Sequence, residues 1–470
     1  MAGISSSTKT PSADVSYDST KSYTAPLVTV TMLFFMWGFI TCMNDLLIPK
    51  LKVVFNLLDW QAKLIQAAFF GAYFIISLIY FLLSIRKGDP IMKIGYKNGI
   101  IIGLVVAAIG CTLLYPAASL HSYGFILTAL FILASGITIL QIAANPFVSI
   151  LGPPATASSR LNMTQAFNSL GTTIAPILGG FLIFELAETA GASSADSVKL
   201  PYLGLAAMLL VIAVIIKISK LPHVSGEGRI IADAGVLQYR HLVLGIVGIF
   251  MYVGGEVAIG STLIDFFKLP QIAGLDEANS SKFLAFYWGG LMVGRFIGAA
   301  ALAEFEKSIH RYLIIGLVAV VAFSTIYYYY GQKMAFISLG LIVLNIVAFL
   351  LGRFIPSRTL GLFASCIIIL LGFTIFAQHE LAMWSVIAIG LFNSIMFPTI
   401  FTLAIKGLGT HTSQGSSLLV MAIVGAALIP VLQGIFADIT GNLQLSFLVP
   451  IPCYLFIVYY GFIGYKPNKV

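Results

Sequence analysis

The sequence predicts an all-α membrane protein: two pseudo-symmetric six-helix bundles with a helical hairpin inserted in the second, about fourteen transmembrane helices in all. Three observations predict it: an apolar composition, apolar runs that recur along nearly the whole chain, and an internal repeat. Of 470 residues 59% are hydrophobic and 9% charged, where soluble domains carry about a quarter charged. Runs of about 20 apolar residues each suffice to cross about 30 Å of hydrocarbon as a helix. They lack the ten-residue alternation of a membrane β-barrel.

The spans are expected at about 25–47, 62–85, 95–116, 122–150, 160–187 and 199–219, and then at about 239–267, 282–303, 308–330, 333–351, 357–378, 381–406, 412–437 and 443–464. The expected domains are a disordered cytoplasmic tail (1–24), an N-terminal bundle (25–220), a cytoplasmic linker (221–238) and a C-terminal bundle (239–465) with the hairpin at about 304–351. Gln141 stands five residues before Pro146 as Asn393 does before Pro398, and Gly171, Pro176, Gly180 share their spacing with Gly425, Pro430, Gly434. Phe35-Met36-Trp37-Gly38 pairs with Phe250-Met251-Tyr252. The offset between halves grows from 215 at that pair to 252 and 254 later. A pair of helices is the smallest insertion that leaves later spans in their orientation, and the string Gly-Arg-Phe-Ile at 294–297 and 352–355 marks its edges. Pro146, Pro176, Pro398 and Pro430 are expected to kink their helices.

The net charge of +8 reflects topology. With a cytoplasmic amino terminus, eighteen Lys and Arg fall on the cytoplasmic side and seven on the other, Arg295 left uncounted near a helix end. No nucleic-acid partner is implied. The charged stretch from Arg86 to Lys97 reads as a loop gating the cytoplasmic side or simply as positive-inside retention. The four cysteines sit alone in apolar runs without metal-ligand spacing. No phosphate-binding loop supports ATP coupling, and no nucleophile, base and orienting group stand together as an enzyme requires.

Carboxylates at membrane depth cost about 2.5–3.5 kcal/mol on insertion scales and therefore tend to face a cavity. Asp45, in Asn44-Asp45 with Pro49 closing the run, and Glu256, in Gly254-Gly255-Glu256, occupy pseudo-equivalent first helices of the two halves. A cap carboxylate is the bland alternative for Asp45, a structural hydrogen bond for Glu256. Gln66, Gln141, Asn145, Gln165, Asn168, Asn393 and Gln433, with Trp288, form a second polar layer; such amides and aromatic faces suit a pyranose, whose hydroxyls both donate and accept. Each amide could equally join helices.

Several strings resemble the fucose:proton symporter family of the major facilitator superfamily: Asn44-Asp45-Leu46-Leu47-Ile48-Pro49, Leu64-Ile65-Gln66-Ala67-Ala68-Phe69, Ala143-Ala144-Asn145-Pro146-Phe147-Val148, Arg160 through Ser169, Phe397-Pro398-Thr399-Ile400-Phe401 and Gly415-Ser416-Ser417. The resemblance implies a bacterial inner-membrane carrier with both termini cytoplasmic, monomeric, embedded in the lipid bilayer and linked to a proton or sodium ion, with no other cofactor. In the fucose carrier the aspartate matching Asp45 pairs with a glutamate where this chain has Gln141, and a glutamine stands at Glu256. These departures and Tyr287-Trp288-Gly289-Gly290-Leu291 resemble the glucose/galactose branch or its N-acetylglucosamine relatives and argue against fucose. The expected function is alternating-access uptake of a glucose-, galactose- or mannose-like hexose, sodium favoured over the proton. Asp45, as a sodium ligand, with Asn44, Gln141 and Asn145 is expected to couple the cation. Gln66, Gln141, Gln165, Asn168, Glu256, Trp288, Asn393 and Gln433 are expected to face the sugar. An N-acetylglucosamine or fucose:proton symporter, a drug or metabolite exporter and a sugar sensor are the alternatives.

Overall fold

A computed structural model describes residues 23–180, 198–222 and 232–467; nearly all of the expected tail, the end of the fifth span and half of the linker lie outside the described residues. The first half comprises α1 (Thr24–Val54), α2 (Asp59–Lys87), a short α3 (Pro90–Ile94), α4 (Tyr96–Ser119), α5 (Tyr123–Ile150), α6 (Ala157–Gly180) and α7 (Lys199–Ile218). The second half comprises α8 (Arg240–Lys268), α9 (Glu277–Ala301), α10 (Ser308–Tyr330), α11 (Gln332–Leu351), α12 (Pro356–Phe376), α13 (His379–Asn393), α14 (Met396–Ala404), α15 (Thr412–Met421), α16 (Gly425–Thr440) and α17 (Ile451–Tyr459).

Among the described residues thirteen helices are long and apolar enough to cross a membrane, one fewer than the sequence predicts. The exception is α6, whose first fourteen residues include Ser158, Ser159, Arg160, Asn162, Thr164, Gln165, Asn168 and Ser169. Their polarity fits a helix turned toward protein at membrane depth rather than toward lipid. The α1 helix runs past Pro49 to Val54, while the apolar span within it ends at Asn44, ahead of that proline; a membrane helix tolerates proline where other groups satisfy the freed carbonyl. The four repeat prolines stand in different settings. Pro146 and Pro176 lie inside continuous helices. Pro398 follows an interruption at Ser394–Ile395, and Pro430 follows a 3-10 turn at Ala422–Val424.

The repeat is visible in the packing. A Cβ placed on Gly171 of α6 would lie 2.2 Å from the carbonyl oxygen of Phe35 on α1, and one on Gly425, the first residue of α16, 2.2 Å from that of Phe250 on α8. Both crossings therefore demand glycine at the same repeat position, since only a residue without Cβ lets two backbones come so near. Likewise α4 packs on α5 and α7, while α12 packs on α13 and α17. That match leaves α10 and α11 without counterparts in the first half. They form a hairpin turned at Gly331 (φ 83°) and lie at the outer edge. Only 11% of the α10 span is buried, against 94% of the span made by α13 and α14.

The bundles are joined from the face that carries the linker. There Ser413 of α15 donates to Asp89 (2.7 Å), Ser158 and Thr402 share a hydrogen bond (2.6 Å), and Ser159 donates to the Ala299 carbonyl (2.7 Å). Nearer the middle, Arg295 of α9 donates to Ser169 (2.6 Å) and the Gln165 carbonyl (3.3 Å) of α6, and Phe167 meets Phe296 edge-on.

Candidate functional site

The first-half cluster begins at the crossing of α1 and α6. A Cβ on Gly38 would lie 2.0 Å from the Asn168 carbonyl oxygen, and the Asn168 side chain donates to the Phe34 carbonyl at 3.0 Å. Trp37, Thr41 and Asn44 follow one another along one face of α1 at helical spacing, as Gln141 and Asn145 do along α5. Tyr73 of α2 brings the two faces together, its hydroxyl standing beside Trp37, Thr41 and Gln141. The Asn44 Oδ1, both polar atoms of Gln141 and of Asn145, and the Gln165 Nε2 are buried and have no hydrogen-bond partner. Unpaired buried polar groups cost about 1–3 kcal/mol each, so six such atoms on α1, α5 and α6 suit a site that receives a polar ligand. Asp45 belongs to α1 beside Asn44; its side chain lies outside the described residues.

The second-half cluster surrounds Glu256, buried on α8. Tyr252 stands one turn before it, and the charge of Arg295 reaches it from α9. Tyr287 donates to the Glu256 backbone carbonyl (3.1 Å), Asn393 Nδ2 donates to the Tyr287 hydroxyl (3.1 Å), and Tyr454 donates to Asn393 Oδ1 (3.0 Å). Trp288 is 39% exposed and packs on Gly260, where a Cβ would come within 2.8 Å of its ring.

Asn44, Gln141, Asn145 and Gln165 are thus buried with unmet polar atoms, and Trp288 is partly exposed. Both ends of the Asn393 amide are engaged by tyrosines, Tyr287 and Tyr454, which ties it to the residues around Glu256. Asn168 spends one of its two amide N–H donors on α1. Gln433 is buried against the segment after α16, its Nε2 donating to Ser446 at 3.2 Å within its own bundle while its Oε1 is buried without a partner. Gln66 is exposed on α2, and no hydrogen bond joins it to the other amides.

Arg295, Tyr73 and Tyr454 were not singled out by the sequence, and Tyr287 only as part of a family string. Arg295 had a signal. Proline lacks an N–H for the carbonyl four residues before it, so Pro398 leaves the Ser394 carbonyl in need of a donor, and the Arg295 Nε supplies one at 3.3 Å.

Outside the spans, Asp89 caps α3 through the Ile91 N–H (3.0 Å) and Met92 N–H (3.3 Å), and accepts from Tyr80 and Ser413. Burial pushes its carboxyl above the ordinary range.

No family model matches the chain. A glucose/galactose transporter of Brucella abortus (strain 2308) is 49% identical over 452 residues, covering 95% of this chain and 96% of that protein. The chain belongs to the fucose:proton symporter family of the major facilitator superfamily. The L-fucose-proton symporter of Escherichia coli (strain K12) is 30% identical over 461 residues, 93% of this chain and 92% of that protein. The crystal structure of a major facilitator superfamily transporter, FucP, in the outward conformation superposes with a TM-score of 0.74 at 30% identity, covering 94% and 99% of the two chains. The chain is accordingly a multi-pass transporter of the major facilitator fold, in the glucose/galactose branch, and not an enzyme.

Proposed function

We propose that this protein is a bacterial inner-membrane symporter that takes up a glucose-, galactose- or mannose-like hexose, driven by an inward sodium gradient. The observation that carries the reading is the set of buried, unpaired amides on α1, α5 and α6, in a chain 49% identical to a glucose/galactose transporter. An amide both donates and accepts, matching a hydroxyl-rich ligand. The sugar is placed against Gln165, Gln141 and Trp288, with Glu256 across the bundle interface.

The choice of sodium follows from the donor set. Gln141 cannot take up a proton in the working range. Hard cations are held by several oxygens; Asp45, Asn44, Gln141 and Asn145 offer them, and Pro49 has no N–H for the backbone carbonyl of Asp45. The linker face is assigned to the cytoplasm by the excess of Lys and Arg there. Contacts between the bundles on that face leave the opposite side for entry, and the carrier works as a monomer by rocking the bundles about the bound sugar. Radiolabelled glucose, galactose, mannose, fucose and N-acetylglucosamine uptake into proteoliposomes, with sodium and pH gradients imposed separately, tests this. Hexose accumulation under sodium alone supports it; accumulation of fucose alone, or only under a pH gradient, overturns it.

A further inference from the structure

Arg295 is a buried cation at the junction of the bundles, and its three hydrogen bonds are of two kinds. One, to the Ser394 carbonyl, stays within the second bundle and answers the gap left by Pro398. The other two, to the Gln165 carbonyl and the Ser169 hydroxyl, cross to α6 of the first bundle. None of the three partners is a carboxylate, so the positive charge is hydrogen-bonded but not neutralised by contact. The acid whose field meets it is Glu256 on α8, in the same bundle as Arg295.

We propose that Arg295 is a positioning residue that fastens the bundles in this closed-linker-face state and passes to Glu256 when they part. This rests on the alternating-access reading given above. When α6 moves away, the guanidinium loses two acceptors at once. Leaving a charged donor unmet in a low-dielectric interior costs several kcal/mol, so the opened state requires a replacement. Glu256 lies in the same bundle as Arg295, carries the complementary charge and is the acid whose field already reaches it, which makes it the replacement partner in the opened state. Because Glu256 also faces the sugar, a bound sugar that engages its carboxylate competes with the Arg295 partner exchange. Sugar position and bundle closure are thereby linked through one arginine.

Spin labels at Ile94→Cys and Lys406→Cys, in a background without the four native cysteines, report the separation of the bundles on the linker face in purified full-length protein. Arg295→Gln is expected to shift the population toward the longer separation by about tenfold, the size of a lost charged hydrogen bond. Ser169→Ala, which keeps the arginine and removes one acceptor across the interface, should shift it the same way by a smaller factor. Glu256→Gln should act oppositely and favour the short separation, because the freed arginine then lacks its second partner. Arg295→Lys retains charge but cannot reach three acceptors in different directions; it should fall between Arg295→Gln and the parent and guards against misfolding of the neutral variant. Unchanged distances in Arg295→Gln, Arg295→Lys and Ser169→Ala, or a shift of Glu256→Gln toward the longer separation, would overturn the proposal. The labels read closure directly. Failure of hexose uptake in the parent would therefore contradict the functional reading while the distance comparison still decides the role of Arg295.

Discussion

Gly38→Ala adds a single methyl where α1 and α6 touch. The new Cβ would sit 2.0 Å from the Asn168 carbonyl oxygen and 2.8 Å from its carbon, whereas contact distances lie near 3.5 Å. The helices must separate by about 1 Å or more. The contact is backbone on backbone, so no side-chain rotation relieves it. The Asn168-to-Phe34 hydrogen bond, at 3.0 Å, stretches toward breaking under that displacement. Overpacking of this kind costs about 1–3 kcal/mol, equivalent to about five- to a hundredfold in an equilibrium constant. Separation also carries Gln165 away from the α1 face that bears Asn44. Equilibrium binding of radiolabelled galactose to purified protein should weaken about tenfold, together with a lower unfolding temperature in detergent. Gly71→Ala is the control, since nothing lies within 4 Å of its added Cβ. Parent-like affinity and stability in Gly38→Ala would refute the reasoning that this crossing sets the site.

Glu256→Gln should weaken galactose affinity while leaving the sodium dependence of uptake in place; unchanged affinity in a binding titration removes Glu256 from the sugar site. Asn393→Ala removes the acceptor of Tyr454 and one of the two hydrogen bonds of the Tyr287 hydroxyl, and should cost about 1–3 kcal/mol of stability, read as a fall in unfolding temperature, with Asn393→Gln less severe. Asp89 gives a pH signature. Its folded-state pKa is raised by burial, so its stabilising contribution is present below the ordinary carboxylate value of about 4 and is lost as pH rises through the raised value. Unfolding temperature should therefore fall over that window in the parent and fall less in Asp89→Asn; parallel profiles would show that Asp89 titrates normally.

Much of the fold was legible because lipid imposes it: a span must be apolar and about twenty residues long, and α10 and α11 read as clearly as any core helix. The polar α6 was legible as a span only through its glycine and proline spacing, which the repeat in α16 matches. The site was legible where a costly group stands in an apolar run, as with Glu256, Gln141 and Asn145. It was less so where the repeat alone carried the inference. Gln433 shares its helix with the repeated glycines yet turns inward to Ser446, because spacing along a helix fixes a face only relative to its neighbours. Arg295 escaped because a basic residue near a helix end resembles a membrane-interface anchor. Its role depends on Ser394 and α6, which lie about a hundred residues away on either side.

The most direct measurement is sodium-driven accumulation of radiolabelled galactose in proteoliposomes carrying the parent or Asp45→Asn. Parent vesicles should concentrate the sugar only under an inward sodium gradient, and Asp45→Asn vesicles should exchange it without concentrating it. Full accumulation by Asp45→Asn, or gradient-independent equilibration by the parent, would contradict a carrier whose coupling ion is held in the opening helix.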